Sequence, residues 1–100
     1  MERKEILERA IGTYGYHAQV DMCLEEMAEL AKALLKMRRS GGDIAEKLDN
    51  IREEIADVQI MIDQMKLIYG EEPVGKSERL KLARLEERLD AHQDGGVTHA

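Results

Sequence analysis

Two stretches of the sequence carry apolar residues at alternating steps of three and four, and one short break separates them. The first stretch covers residues 20–37 and the second covers residues 44–69, with SGGD between them. This spacing places the apolar side chains on one side of an α-helix, and a short link makes two such helices antiparallel neighbours. The first repeat consists of Val20, Cys23, Met27, Leu30, Leu34 and Met37. The second consists of Ile44, Leu48, Ile51, Ile55, Val58, Ile62, Met65 and Tyr69.

The pattern predicts an all-α fold, a four-helix bundle with two long antiparallel central helices. A first helix covers residues 2–11, and Gly12 can end it. Residues 12–19 are predicted to form a turn or a loose helix start, because they include two glycines. The first long helix then runs from about His17 to Arg39.

Turn and capping residues predict where the remaining two helices begin and end. Asp43 has the character of an N-cap, so the second long helix begins at Ile44. Gly70 and Pro73 are expected to close that helix, because neither residue favours its continuation. The last helix is predicted to begin near Ser77.

The third predicted helix is apolar over more than one side, which indicates assembly of several copies. A surface that wide needs more than one partner, so we expect a homodimer or homotetramer whose subunits complete the core. The alternative is a long helix buried within a monomer. We predict a single domain over residues 1–93 and a flexible tail over residues 94–100. The apolar residues outside the main repeat are Ile60, Met61, Leu67 and Ile68.

Composition restricts the class of partner and compartment. A formal net charge of −6 argues against a surface dedicated to nucleic acid. Cys23 is the only cysteine, which excludes an intramolecular disulfide and a cysteine zinc cluster. We find no apolar run of transmembrane length and no signal-peptide core, so we expect a cytoplasmic protein with no membrane partner.

The same arrangement of acidic and apolar residues occurs once on each long helix. EEMAEL occupies residues 25–30 and EEIADV occupies residues 53–58, an offset of four heptads. Each hexapeptide therefore occupies the same position relative to the apolar repeat of its own helix. Within each, two acids lie three residues apart and share one face of the helix.

A turn at Gly41–Gly42 would bring the two acidic pairs together. Residues equally distant from that turn face each other, which pairs Glu26 with Asp57 and Glu29 with Glu54. Four converging carboxylates repel one another unless cations neutralise them, and oxygen ligands suit Mg²⁺ or Mn²⁺, with Ca²⁺ also possible. A di-iron site is disfavoured because no histidine follows a glutamate at the required spacing. The alternative is that these acids are solvated flanks of two ordinary amphipathic helices.

The two acidic pairs and their spacing resemble the ExxE…ExxD signature of the MazG-like, all-α nucleoside triphosphate pyrophosphohydrolases. The resemblance covers roughly residues 15–90. It implies a four-helix MazG-like fold assembled as dimers or tetramers, with Mg²⁺ as cofactor. It further implies cleavage of a (d)NTP between the α and β phosphates, releasing a (d)NMP and pyrophosphate. The implied catalytic and metal-binding residues are Glu26, Glu29, Glu54 and Asp57.

The resemblance also implies phosphate contacts from basic residues that follow the second acidic pair. Lys81 lies at a suitable distance along the chain, and Arg84 and Arg88 follow on the next turns. An ordinary charged amphipathic helix would contain the same residues, so a purely structural role stays open.

Residues ahead of the first acidic pair are candidates for contact with the base and sugar. Tyr14, Tyr16 and His17 offer rings for stacking, and Gln19 offers an amide that can bind a base edge. Capping or packing roles are open for both tyrosines.

Two classes of function are consistent with these observations. The first is a Mg²⁺-dependent nucleoside triphosphate pyrophosphohydrolase, with a role in housekeeping of the nucleotide pool. The alternative is a non-catalytic protein, either an oligomeric helical interaction protein or a nucleotide sensor, whose acids do not support turnover.

Overall fold

The computed structural model describes residues 1–99, with side chains through Gln93, and its regular elements are all α-helices. The predicted all-α fold with four helices is therefore confirmed. The residues of the predicted flexible tail include the last turns of the fourth helix, and their flexibility stays a prediction. The helices are α1 (Arg3–Tyr14), α2 (Tyr16–Arg38), α3 (Ile44–Tyr69) and α4 (Glu71–His99).

The chain divides into two compact units. The first unit spans Met1–Ile68 and contains α1, α2 and nearly all of α3, and the second begins at Tyr69 and contains α4. The single domain expected over residues 1–93 stays a prediction. Within the described chain, none of the helices combines the length and apolarity needed to cross a lipid bilayer.

Gly15 separates α1 from α2, and the end predicted at Gly12 is wrong. Gly15 has φ 88, a conformation that side chains with a Cβ atom rarely adopt, and its N–H donates to the carbonyl of Ile11. Gly12 instead continues α1, which extends to Tyr14. Residues 12–19, expected to form a turn, are therefore helical on both sides of Gly15.

The link between α2 and α3 has two glycines of left-handed conformation, as a tight reversal requires. Gly41 has φ 87 and Gly42 has φ 81. Lys47, in the first turn of α3, donates from Nζ to the carbonyl oxygens of Arg39 and Gly41. These bonds tie the start of α3 to the end of α2.

Asp43 caps α3 as predicted. Its Oδ1 accepts hydrogen bonds from the backbone N–H of Ala45 at 2.9 Å and of Glu46 at 3.4 Å. The cap satisfies two of the N–H groups that a helix start leaves without intrahelical partners.

The buried side of the α2–α3 hairpin differs from the predicted apolar repeat. Cys23, Ala33 and Met61 are buried, whereas the predicted interface residues Met27 and Leu34 are 45% and 47% exposed. Cys23 belongs to the predicted repeat, but Glu26 and Ala33 are more buried than Met27 and Leu34, which follow them by one residue, so α2 is rotated from the predicted orientation. The rotation turns the acid-bearing side of each helix toward the interface.

An ion pair joins α1 to α3. The guanidinium of Arg3 donates from Nε and Nη2 to Asp63 Oδ2 at 3.0 and 2.6 Å. Leu7, one helical turn further along α1, is buried. One end of α1 is therefore held against α3 by both charge and packing.

α4 begins earlier than the predicted start near Ser77. Gly70 ends α3 with φ 108, and α4 begins at Glu71, so Pro73 lies in its first turn. A proline is accommodated there because the first N–H groups of a helix need no intrahelical acceptor. Through Gln93, every described side chain of α4 is at least partly exposed.

Candidate metal centre

Three carboxylates from the two central helices converge at the α2–α3 interface. Oxygen atoms of Glu26, Glu54 and Asp57 all lie within 4.8 Å of one another. Glu26 and Glu54 are half-buried, whereas Asp57 is exposed. Glu26 and Asp57 are equally distant from the Gly41–Gly42 turn, which is the pairing that the hairpin register predicts.

The pKa of the Glu26 carboxyl is raised within this cluster. Partial burial is the largest cause, and the negative charges of Asp57 and Glu54 add to it. A hydrogen bond with Asp57 also favours the protonated form of Glu26, and Glu29 contributes a smaller repulsion. A cation placed among these carboxylates would remove the repulsion.

Glu54 has one oxygen that is buried without a protein partner. Its Oε2 is inaccessible to solvent and has no hydrogen-bond donor among the described residues. A buried carboxylate oxygen without a donor is costly, because ionised groups require compensation when they leave water. The donor set of carboxylates without histidine or thiol suits a hard divalent ion such as Mg²⁺ or Mn²⁺.

Glu29 lies one turn from Glu26 but outside the cluster of three. Its Oε1 pairs with Lys32 Nζ at 3.5 Å, and its side chain is 52% exposed. The structure therefore brings together three of the four predicted acids. Glu29 shares their side of α2 and influences Glu26 through its charge.

The predicted phosphate-binding residues are all exposed on α4. Lys81, Arg84 and Arg88 lie at spacings of three and four, so they share one face of that helix. Lys81 and Arg88 also line a shallow hollow together with Leu82 and Leu85. Their role toward phosphate stays a prediction, because they belong to the second unit of the chain.

The residues predicted to contact the base lie around the junction of α1 and α2. Tyr14 is the last residue of α1 and is 68% exposed, and it lines a hollow on the surface of α1. Tyr16 and His17 begin α2, and their ring centroids are 4.0 Å apart. Gln19, in contrast, is buried. Three exposed rings therefore precede a buried amide along the chain.

Gln64 is a candidate that the sequence analysis missed. It is 4% exposed on α3, and its Oε1 is buried with no hydrogen-bond partner among the described residues. Gln64 and Gln19 are equally distant from the Gly41–Gly42 turn. The hairpin register that pairs Glu26 with Asp57 also pairs Gln19 with Gln64, seven residues further from the turn on each helix. The sequence alone could therefore have identified Gln64.

Comparison with known proteins does not add to this description. No protein-family model, no curated protein and no solved structure matches the chain. The functional assignment therefore depends on the geometry of the site and on the resemblance of the acidic pairs.

Proposed function

We propose that the protein is a Mg²⁺-dependent, MazG-like nucleoside triphosphate pyrophosphohydrolase that releases a (d)NMP and pyrophosphate. The observation that supports this proposal best is the convergence of Glu26, Glu54 and Asp57 from two helices. Glu54 Oε2 lacks a donor among the described residues, and burial together with the charges of Asp57 and Glu54 raises the pKa of Glu26, as expected of residues whose natural partner is a cation. The resemblance of the two acidic pairs to the ExxE…ExxD signature suggests the reaction class.

Each acid has a distinct place in the proposed site. Glu26, Glu54 and Asp57 would hold the divalent ion, which supplies charge neutralisation at the phosphates and a lower pKa for attacking water. The exposed Asp57 leaves the cluster open to solvent on one side, where a triphosphate can approach. Glu29, or a neighbouring carboxylate, would orient the attacking water as general base, and Glu29 could do so once Lys32 releases its carboxylate.

The basic face of α4 is proposed to bind the triphosphate. Lys81 would contact phosphate oxygens as a mobile point charge, and Arg84 and Arg88 would add bidentate contacts. These cations would supply local positive charge for an anionic substrate on a chain whose net charge is −6. Tyr14 and His17 supply rings against which a base could stack.

Homo-oligomerisation is part of the proposal, and one face of the hairpin is suited to it. Met27 and Ile55 each follow a cluster acid by one residue, about 100° around the helix. Because the two helices are antiparallel, moving one residue onward from the acid on each helix leads to the same side of the hairpin. Met27, Leu34 and Ile55 are all near half exposed. We propose that a second copy covers this apolar face, leaving the carboxylates accessible on the other side.

The decisive experiment combines a substrate panel with single-carboxylate variants. The protein is incubated with each (d)NTP and Mg²⁺, and nucleoside monophosphate and pyrophosphate are quantified. We expect turnover of at least one nucleotide by the unaltered protein. Glu54→Gln and Asp57→Asn are expected to reduce kcat by at least about 100-fold, because each removes a charged ion ligand.

Glu53→Gln is the matched control for those variants. Glu53 neighbours Glu54 on α3 but is exposed and outside the cluster. The control should retain most of the turnover and should show the same helical circular dichroism spectrum. Absence of turnover with every nucleotide, or equal activity of Glu54→Gln and Glu53→Gln, would favour the non-catalytic interaction or sensing protein.

A further inference from the structure

Two glutamine side chains are buried at one level of the α2–α3 hairpin. Gln19 is 6% exposed and Gln64 is 4% exposed. Both lie seven residues from the acid cluster, Gln19 before Glu26 on α2 and Gln64 after Asp57 on α3. Because the helices are antiparallel, both steps lead in the same direction, away from the turn. The amides therefore form a second polar level in the hairpin.

The second level has an unused hydrogen-bond acceptor. Gln64 Oε1 is buried and has no donor among the described residues, although leaving such a group unpaired costs free energy. Buried amides usually find partners, so an unpaired one requires an explanation. A ligand that brings an N–H group to this level would supply the missing donor.

The separation of the two polar levels matches the dimensions of a nucleotide. Seven residues of α-helix span about 10 Å along the axis. That is comparable with the distance from the α-phosphate of a nucleotide to the far edge of its base. With the α-phosphate at the acids, a base pointing away from the turn would reach the amides.

α1 is attached close to this second level. Gly15 joins α1 to α2, and Arg3 ties α1 to Asp63, the residue next to Gln64. The tie is an ion pair with a partly exposed guanidinium, so it can be exchanged for water contacts at low cost.

We infer that Gln64, together with Gln19, binds the nucleobase edge and makes the site selective for nucleotides over other polyphosphates. This inference rests on the proposed function. Gln64 Oε1 accepts from a ring or exocyclic N–H of the base, and its Nε2 can donate to a neighbouring base oxygen or nitrogen. Sites of this kind reject ligands that leave the buried amide unpaired.

Binding of a monophosphate and of pyrophosphate to Gln64→Met tests the inference. Each deoxynucleoside monophosphate, and inorganic pyrophosphate separately, is titrated calorimetrically with Mg²⁺ into the unaltered protein and the variant. We expect Kd for the preferred monophosphate to rise about tenfold in the variant, since at least one hydrogen bond is lost. Kd for pyrophosphate should stay within about twofold, because pyrophosphate has no base. Methionine preserves the length and flexibility of the side chain.

Gln93→Met is the control, since Gln93 is an exposed residue on α4. If Gln64→Met does not fold, as judged by circular dichroism, Gln19→Met replaces it with the same expectation. Unchanged Kd for every monophosphate in a folded variant would overturn the inference while leaving the proposed function intact. An equal loss of pyrophosphate affinity would also overturn it. If the unaltered protein binds neither ligand, the proposed function itself fails.

Discussion

The folded structure disfavours ionisation of the Glu26 carboxyl. Burial and the neighbouring carboxylates of Asp57 and Glu54 raise its pKa above the ordinary value of 4.5. A raised carboxyl pKa means that the folded chain binds this proton more tightly than the unfolded chain. The resulting stabilisation is present below pH 4.5 and is lost as pH rises through the raised pKa.

Replacement of Glu26 should therefore stabilise the metal-free protein at neutral pH. In EDTA at pH 7, we expect Glu26→Gln to raise the free energy of unfolding by up to about 1 kcal/mol, because it removes like-charge repulsion. Below pH 4.5 the advantage should disappear. Urea denaturation at both pH values measures this difference.

Addition of Mg²⁺ should reverse the order of stability, since only the unaltered protein retains the complete set of carboxylates. Glu25→Gln is a suitable control because Glu25 is exposed and lies outside the cluster. A Glu26→Gln protein that is less stable than the unaltered protein in EDTA at pH 7 would show that the carboxylate is structural.

Asp63 is affected in the opposite direction. Burial would raise its pKa, but hydrogen bonds from Arg3 and Gln59 outweigh burial, and the charges of Arg3 and Lys66 add to them. The pKa is therefore held below the ordinary 3.8, and the stabilisation is present above that pH. It is lost as pH falls through the lowered pKa.

Asp63→Asn should weaken the attachment of α1 and destabilise the protein by about 1 kcal/mol at pH 7. The difference from the unaltered protein should shrink as pH falls below 3.8. The matched control is Asp49→Asn, because Asp49 pairs with Arg52 at 3.5 Å between two largely exposed side chains. Urea denaturation at pH 7 that shows equal losses in both variants would contradict the proposed tie between α1 and α3.

At the scale of the elements, one glycine is required for the break between α1 and α2 and another is not. Gly15 has a left-handed φ, whereas Gly12 is helical and has no atoms close to the position of a Cβ. We expect Gly15→Ala to destabilise by about 1 kcal/mol or more, and Gly12→Ala to stabilise by about 0.5–1 kcal/mol. Thermal unfolding of both variants gives the comparison. If both variants shift the unfolding temperature in the same direction, the roles given to Gly12 and Gly15 are contradicted.

Several helix boundaries could be predicted because their signals are local. Asp43 caps α3 through its own side chain, and Gly70 ends α3 by its backbone conformation. The end of α1 could not be predicted in the same way. Gly12 and Gly15 are equivalent in the sequence, and a helix accommodates one glycine at modest cost.

The orientation of α2 and α3 was predicted only in part. The periodicity identifies both helices, and the turn places Glu26 level with Asp57. The apolar periodicity does not determine which of two adjacent strips of side chains on α2 faces the partner helix. Of the predicted repeat the structure buries Cys23 but leaves Met27 and Leu34 near half exposed. Glu26 and Ala33, each one residue earlier, are the more buried residues at these two levels, and hydropathy alone does not predict a half-buried glutamate.

At the scale of the whole molecule, the described core is small for a chain of this length. The buried apolar side chains are Leu7, Cys23, Ala33 and Met61, whereas many large apolar residues are exposed. A single small core of this kind rarely stabilises a domain by more than a few kcal/mol. Assembly of copies through the apolar face containing Met27, Leu34 and Ile55 would supply the missing burial.

Ile55→Glu tests that assembly. Ile55 is 52% exposed on the proposed face, and Ile6, on α1, is 51% exposed and provides the control Ile6→Glu. Light scattering after size exclusion should show an oligomer for the unaltered protein and for Ile6→Glu. Ile55→Glu should shift toward monomer, because a buried unpaired charge is costly. A monomeric unaltered protein would contradict the proposed assembly.

The identity of the reaction products tests the central claim most directly. Phosphorus NMR of the protein with its preferred (d)NTP and Mg²⁺ distinguishes pyrophosphate from orthophosphate during a single time course. We predict that pyrophosphate and nucleoside monophosphate appear in equal amounts, and that Glu54→Gln yields neither. Orthophosphate and a nucleoside diphosphate as initial products, or undiminished pyrophosphate release by Glu54→Gln, would contradict the assignment of the carboxylate cluster as a pyrophosphohydrolase site.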